Sequence, residues 1–373
     1  MEFIVKKEDF LNGIRIVEHA TAMKGLQPVL ANILIETVDE STLKFTATDL
    51  DLTIITEIQA QVKEDGKITL PAKKLSDIVS RLSDDLVEFN IDTESNSANI
   101  KCKNSKFSVI GISAQEFPPI AEMEIESENS IDIDVKTLNN AIKQVGFAAA
   151  GYESNNLLSG IVFNISDTVL EMASTDGNRL ARIREQVSKQ DQESQLIIPA
   201  RTLNDFSKIS AFVQDDNAKL IINKTKLVIK MSETTIISTL MDGQYPKYNQ
   251  LIPQSSPKEA IVKISTLVAA LERVAIMVSE KTNIVKFDFV DNKLILSGNT
   301  PESGTSEDAI DIQYDDEELT IAFNYRYVLE AIKNIDSEEI KIGLNTPLSA
   351  TVIKPNDDDV DYISLIMPVQ IRG

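Results

Sequence analysis

A single cysteine, a single histidine and no long apolar run restrict the chemistry open to this 373-residue chain. Cys102 alone makes neither an internal disulfide nor a multi-cysteine metal site, and reads as a small filler residue. His19, in the predicted first helix beside Glu18, has no cysteine or second histidine with which to build a triad or a typical zinc site, and reads as a helix-surface residue. Neither G-x-x-x-x-G-K-[ST] nor G-x-G-x-x-G occurs, which removes the usual phosphate cradles. No apolar stretch approaches the roughly 18 residues of a bilayer span. The opening Met-Glu-Phe-Ile-Val-Lys-Lys runs straight into an alternating strand and lacks the parts of a secretory signal. A soluble cytoplasmic protein without a membrane partner is expected.

What the chain has in excess is acid: 58 Asp and Glu against 37 Lys and Arg, a formal charge of -21. Such a surface as a whole repels DNA, because non-specific nucleic-acid affinity comes mainly from cations set against phosphates. The carboxylates assemble into no catalytic set. Asp49 and Asp51 in "TDLDL" share one face of a predicted strand, where they either clamp Mg²⁺ or simply alternate with Leu50 and Leu52. "NDDDVD" (Asn356 to Asp361) follows Pro355, lacks the spaced ligands and central Gly of an EF-hand, and reads as a solvated hairpin tip. With 42% hydrophobic and 25% charged residues the composition is globular, and the length calls for two or three domains.

The chain repeats one pattern three times. "MEFIVKKEDFLNGIRIV", "SIDIDVKTLNNAIKQV" and "EAIVKISTLVAALERV" each run from an alternating strand through a polar step into an amphipathic helix. Their leading apolar helix residues, Phe10, Leu138 and Leu267, stand 128 and 129 residues apart. A second echo, "GKITLPAKKLSDIVSRL", "SQLIIPARTLNDFSKI" and "ELTIAFNYRYVLEAIKNI", runs strand, corner, helix, with Pro71 and Pro199 opening two of the helices and Asn324 available to cap the third. Short alternating strands with turn chemistry fill the remainder. The predicted class is α+β: three domains (1–125, 126–253 and 254–373), each with two helices on antiparallel sheets, divided in "AEMEIESENS" and "LIPQSSPKE".

The helices of the second echo depart from the overall charge. Lys73, Lys74 and Arg81 stand with Asp77, Arg201 and Lys208 with Asp205, and Arg326 and Lys333 with Glu330. If three like domains lie along an arc, these basic positions line its concave face, and a head-to-tail homodimer closes a ring. Topology then retains a duplex that weak, sequence-blind phosphate contacts leave free to slide.

Six stretches, "TATDLDLTI", "TLPAKKLSDIV", "FSVIGISAQEFPPI", "STDGNRLAR", "MDGQYPKYNQLIP" and "LIMPVQI", occur in the order and spacing of one family. Over its whole length the chain resembles the bacterial sliding clamps, the β subunits of the DNA polymerase III holoenzyme. The resemblance implies a homodimeric ring with the DNA clamp fold, encircling duplex DNA without sequence preference. It implies no catalysis and no cofactor or metal. The family tethers the polymerase III catalytic subunit and other replication and repair proteins, and a separate clamp loader opens the ring.

By the same resemblance, a pocket between the middle and C-terminal domains takes a short linear peptide from each partner. Its walls match Leu158, Thr175, Gly177, Asn178, Arg179 and Leu180, then Pro246, Gln250 and Leu251, and finally Leu348, Ala350, Leu365, Met367, Pro368, Val369, Gln370 and Ile371. Apolar surface and an adaptable Met receive side chains, while Arg179 and backbone groups orient the peptide. Gln370 replaces the family's usual Arg, and Gln250 replaces a basic rim residue of some members. Lys24 matches a basic DNA-contacting loop position, with Tyr152 and Asn155 in the corresponding middle-domain loop. Phe107 and Val109 match one side of the dimer joint, Ile276 and Met277 the other. Two other classes are weighed: an acidic cytoplasmic peptide-binding scaffold that does not encircle DNA, and a metal-dependent phosphoesterase using Asp49, Asp51 and Asp176.

Overall fold

The computed structural model describes residues 1–22, 27–83, 86–120, 130–151, 156–190, 193–300 and 304–370. The first third comprises β1 (Glu2–Lys6), α1 (Lys7–Val17), β2 (Asn32–Asp39), β3 (Thr42–Thr48), β4 (Leu52–Gln59), β5 (Gln61–Glu64), β6 (Lys67–Pro71), α2 (Ala72–Ser80), β7 (Leu86–Asp92), β8 (Ser97–Cys102) and β9 (Ser105–Ile110). The second repeats the order: β10 (Ser130–Asp134), α3 (Val135–Gly146), β11 (Gly160–Ser166), β12 (Val169–Thr175), β13 (Arg179–Gln186), β14 (Ser194–Pro199), α4 (Ala200–Val213), β15 (Asn217–Ile222), β16 (Lys226–Met231) and β17 (Thr234–Thr239). So does the third: β18 (Lys258–Lys263), α5 (Ile264–Ala275), β19 (Ile284–Val290), β20 (Lys293–Thr300), β21 (Gly304–Asp311), β22 (Leu319–Asn324), α6 (Tyr325–Lys333), β23 (Glu339–Leu344), β24 (Thr351–Pro355) and β25 (Tyr362–Ile366). Among the described residues β5 alone has no counterpart.

Each third contributes two four-stranded half-sheets, and packing groups them across the repeat. One compact unit holds Met1–Lys136 with Thr202–Leu240; the other holds Thr137–Arg201 with Met241–Gly373. In the first unit β17 pairs antiparallel with β4, giving the order β10-β15-β16-β17-β4-β3-β2-β6. The second unit repeats this as β18-β23-β24-β25-β13-β12-β11-β14, through antiparallel pairing of β13 with β25. The seam in the first unit carries a buried pair of hydroxyls, Thr56 and Thr234, at 2.8 Å. The half-sheets left over form a five-stranded sheet (β5-β1-β7-β8-β9) and a four-stranded one (β21-β20-β19-β22).

The helices bury their apolar faces on these sheets, as the 3.6-residue spacing dictates. Phe10 of α1 packs at 4.5 Å on Phe89 and edge-on at 5.0 Å to Phe45, linking the five- and eight-stranded sheets of the first unit. Gly13 of α1 has no room for a side chain, since a Cβ there would meet Phe45 and Ile58 at 3.0 Å. Asn324 caps α6 by accepting from the Arg326 N–H at 3.0 Å. Pro71 and Pro199 close strands and stand one position before their helices, a small correction to their expected placement as first helical residues.

Two further expectations are corrected. "TDLDL" is no strand: Asp49 to Asp51 form the corner between β3 and β4, where the Asp49 carboxylate accepts from the N–H groups of Asp51 (3.2 Å) and Leu52 (2.8 Å), and Leu50 adopts φ 83°. A carboxylate spent on its own turn is a structural group. His19 is not on the first helix, which ends at Val17; it lies half-buried in the turn Glu18–Ala20, its Nδ1 3.3 Å from Asp205. Burial pushes the Asp205 carboxyl up, but hydrogen bonds from His19 and Lys208 more than offset this and hold it below its ordinary value. Cys102 is buried, its thiol directed at the Ser83 carbonyl.

Candidate functional site

In the second unit, the corner "STDGNRLAR" joins β12 to β13 and is held by a set of local bonds. The Asp176 carboxylate accepts from the N–H groups of Asn178 (2.9 Å) and Arg179 (3.1 Å). Thr175 Oγ1 donates to the Arg179 carbonyl (2.6 Å) and accepts from Gly177 N–H (3.1 Å). Gly177 sits at φ +91°, in the region that excludes most side chains. Asp176 is therefore a turn former like Asp49.

Beneath this corner is an apolar floor of Val162, Ala173, Leu180, Ile197, Val352 and Leu365, closed at one side by Tyr245 and Tyr248, with Leu158 packed against it. Leu158 is held by a short turn whose Asn156 side chain accepts its N–H at 2.9 Å. Leu180 faces Leu365 across the β13–β25 seam, and Leu365 faces Val352. The chain beyond β25 is strapped at two points: Met367 N–H donates to the Asn178 carbonyl and Val369 N–H to that of Ala322, both at 2.8 Å. Pro368 lies half-buried between these straps and Gln370 is exposed. Leu251, Leu348 and Met367 are large apolar side chains left 61%, 62% and 46% exposed. Pro246 and Gln250 are exposed and Ala350 half-buried. Seventeen predicted pocket residues thus reduce to sixteen described ones on adjacent strands and loops of one unit; Ile371 lies outside the described residues.

Arg179 does not face an open groove. Its guanidinium lies 4.5 Å over the Tyr327 ring, bonds Asp176 through Nε at 3.0 Å, and meets Glu330 of α6 through Nη1. Its side chain is only 10% exposed, so it ties the corner to α6.

Sequence reasoning missed the polar network beside the floor. Tyr245 Oη accepts from Thr175 N–H at 3.2 Å and donates to the Gly160 carbonyl; burial pushes its pKa up to about 12. Tyr248 bonds Asn164 and the buried Glu171, and burial followed by the Glu171 charge pushes its hydroxyl well up. Burial alone would raise Glu171, but bonds from Tyr248 and Arg184, with the charge of Arg182, hold it below its ordinary 4.5. Asp361, at the end of the acidic hairpin tip, pairs with Arg182 and Arg184. The paired aromatics of "QYPKY" were the available signal.

The basic residues of the second echo are mostly at the surface. Lys73, Lys74 and Arg326 are exposed; Arg81 pairs with Asp77 (3.2 Å), Lys208 with Asp205 (3.2 Å) and Lys333 with Glu272 (2.6 Å); Arg201 is half-buried at the start of α4. Lys24, Tyr152 and Asn155 lie outside the described residues. Of the predicted joint residues, Phe107 is 40% and Ile276 78% exposed and Met277 half-buried, whereas Val109, on the same face of β9 as Phe107, is only 2% exposed and packs in the core; Ile110, on the opposite face, is the second exposed apolar residue of β9. Among the described residues no helix is long and apolar enough to cross a membrane, and no three His, Cys, Asp or Glu are grouped to hold a metal ion.

A thrice-repeated α+β chain with shared antiparallel sheets, unpaired end strands and an apolar cleft beside its C-terminal tail is the class these features define. The chain belongs to the DNA polymerase III beta subunit family, matching its N-terminal domain over residues 1–121, its central domain over 132–247 and its C-terminal domain over 249–370. It is 32% identical over 380 residues to the beta sliding clamp of Synechococcus elongatus and 29% identical over 386 residues to that of Bacillus subtilis; these alignments cover 100% and 99% of this chain and 100% of each relative. Among solved structures it is similar to a putative DNA polymerase III beta subunit from Eubacterium rectale (TM-score 0.92, 29% identity) and to the DNA polymerase sliding clamp from Bacillus subtilis (TM-score 0.92, 28% identity), each pair covered over 100% of both chains.

Proposed function

We infer that this protein is a DNA sliding clamp: a head-to-tail homodimer that encircles duplex DNA and tethers the replicative polymerase and other replication and repair proteins through the cleft beside "STDGNRLAR". It confers processivity without catalysing a reaction, works in the cytoplasm, and is opened by a clamp loader. The observation that carries the reading is the full-length match of all three domains to one family. Family membership also disfavours the scaffold that never encircles DNA.

The repeat supports the dimer on independent grounds. β9 and β21 are the outer strands of their sheets and occupy the positions that β17 and β4, or β25 and β13, hold where they pair within the chain. An unpaired edge is a template for another strand. Edge-to-edge pairing of β9 with β21 of a second copy would repeat the internal seam and leave neither edge open.

The test is retention on circular DNA. Protein loaded by a clamp loader onto a nicked circle should co-elute with it and be released when the circle is cut. Charge reversal at Lys73, Arg201 and Arg326 should shorten retention, and indifference to both cutting and reversal would favour the scaffold. For the cleft, anisotropy of a labelled Gln-Leu-Asp-Leu-Phe peptide should report binding by the intact chain and loss in a chain ending at Ile366. Equal binding by both would remove the tail from the site.

A further inference from the structure

The first unit holds a second groove, of about 480 Å³, on the sheet built by β17 and β4. Its floor is Leu34, Thr46, Ile55, Val228 and Ile237, and one wall is Phe117 to Ile120. Strand order and register place this groove where the cleft described above lies in the other unit. Leu34 faces Thr46 as Val162 faces Ala173, and Ile237 faces Val228 as Leu365 faces Val352. Phe117-Pro118-Pro119-Ile120 repeats the pattern of Tyr245-Pro246-Lys247-Tyr248. Even the corner recurs: Thr48 Oγ1 accepts from Leu50 N–H and donates to Leu52, as Thr175 does with Gly177 and Arg179, and Leu50 holds φ 83° where Gly177 holds +91°. Leu50 is 58% exposed, so the strained position presents an apolar side chain to solvent.

Charge separates the two grooves. Register puts Lys44 where the other cleft has Glu171, and Lys67 where it has Gln195. Lys230 adds a third cation, against a single lining acid, Glu36, which pairs with Lys44 at 3.3 Å. Among the described residues Lys67 and Lys230 make no ion pair, in a protein of net charge -21.

We propose that this groove is a second peptide-docking site, taking a short protein segment whose apolar side chains fill the floor and whose flanking carboxylates meet Lys67 and Lys230. The proposal rests in part on reading the other cleft as a peptide site, because the shared framework is what gives this one its shape. The charge difference assigns it a different partner segment, more acidic than the first groove's.

The probe is a fluorescein-labelled Asp-Glu-Leu-Val-Phe-Glu-Asp peptide, titrated with the full-length protein while unlabelled Gln-Leu-Asp-Leu-Phe saturates the other cleft. Saturable binding is expected, weakened about tenfold or more by Lys67→Glu with Lys230→Glu and retained by Lys67→Arg with Lys230→Arg. Unchanged binding of Gln-Leu-Asp-Leu-Phe to each variant shows that the fold is intact and tests the other cleft separately. The proposal is overturned by no binding of the acidic probe up to about 100 µM, by its displacement with Gln-Leu-Asp-Leu-Phe, or by indifference to charge reversal. Binding seen only after Glu122→Gln, Glu124→Gln and Glu126→Gln overturns it in favour of the chain's own acidic link. A protein-dependent rise in mass abolished by the reversal overturns it in favour of a second copy.

Discussion

At Gly177 a single backbone angle sets the shape of the corner, since φ +91° opposes any Cβ although space for one is free. Gly177→Ala should therefore lower stability by about 1 kcal/mol, read as a shifted urea midpoint, and weaken Gln-Leu-Asp-Leu-Phe binding in the same variant. Glu171 gives the site a pH dependence. Its folded pKa lies below the ordinary 4.5, so its contribution is fully present above that value and is lost as pH falls through the folded value. Thermal scans between about pH 5 and pH 3 should show a steeper loss of stability in the native chain than in Glu171→Gln, which starts from a lower plateau because Arg182 and Arg184 lose one of their two carboxylate partners and keep only Asp361. Equal slopes would mean that Glu171 is not held ionised by this network.

Between elements, long side chains transmit order. Arg179 joins the β12–β13 corner to α6 by stacking on Tyr327 as well as by charge. Arg179→Ala should weaken peptide binding several-fold with little change in unfolding midpoint, and Arg179→Lys should not restore it, because an ammonium cannot stack in the plane of a guanidinium. Restoration by Lys would reduce the role to charge alone. Phe10 does the corresponding work in the first unit, between α1 and two sheets. Phe10→Ala should cost about 3–5 kcal/mol in chemical denaturation, the range for emptying a fully buried aromatic site. The helices, their apolar faces and most strands were legible in the sequence because periodicity is local. The corner at Asp49 was misread as strand because alternating Asp and Leu satisfy period 2, while the hydrogen bonds that make it a turn leave no trace in spacing.

For the whole molecule, the repeat leaves two strand edges whose internal equivalents are paired. Ile276→Ala with Met277→Ala should convert dimers to monomers at micromolar protein, and an unchanged mass in light scattering would sink that assignment of the joint. Phe107 and Ile110 are the exposed apolar residues on β9, and Val109 belongs to the core, so Val109→Ala should reduce stability more than association. A net charge of -21 remains compatible with DNA inside a ring, because closure retains the duplex where phosphate contacts would not.

The amino-acid sequence by itself determined the threefold repeat, the helix faces, the class of fold and the stretches that mark the family, since each of these is written in local spacing or in ordered motifs. Tertiary structure alone decided that the middle third is shared between two packing units, because strand pairing joins residues 178 positions apart, as at Thr56 and Thr234. It alone sent the Arg179 guanidinium to Tyr327 and Glu330, brought Tyr245 and Tyr248 to one side of the cleft, and set three lysines around a groove in an acidic protein. The direction of a side chain and the partner across a sheet follow from packing between distant segments, and no local pattern encodes them.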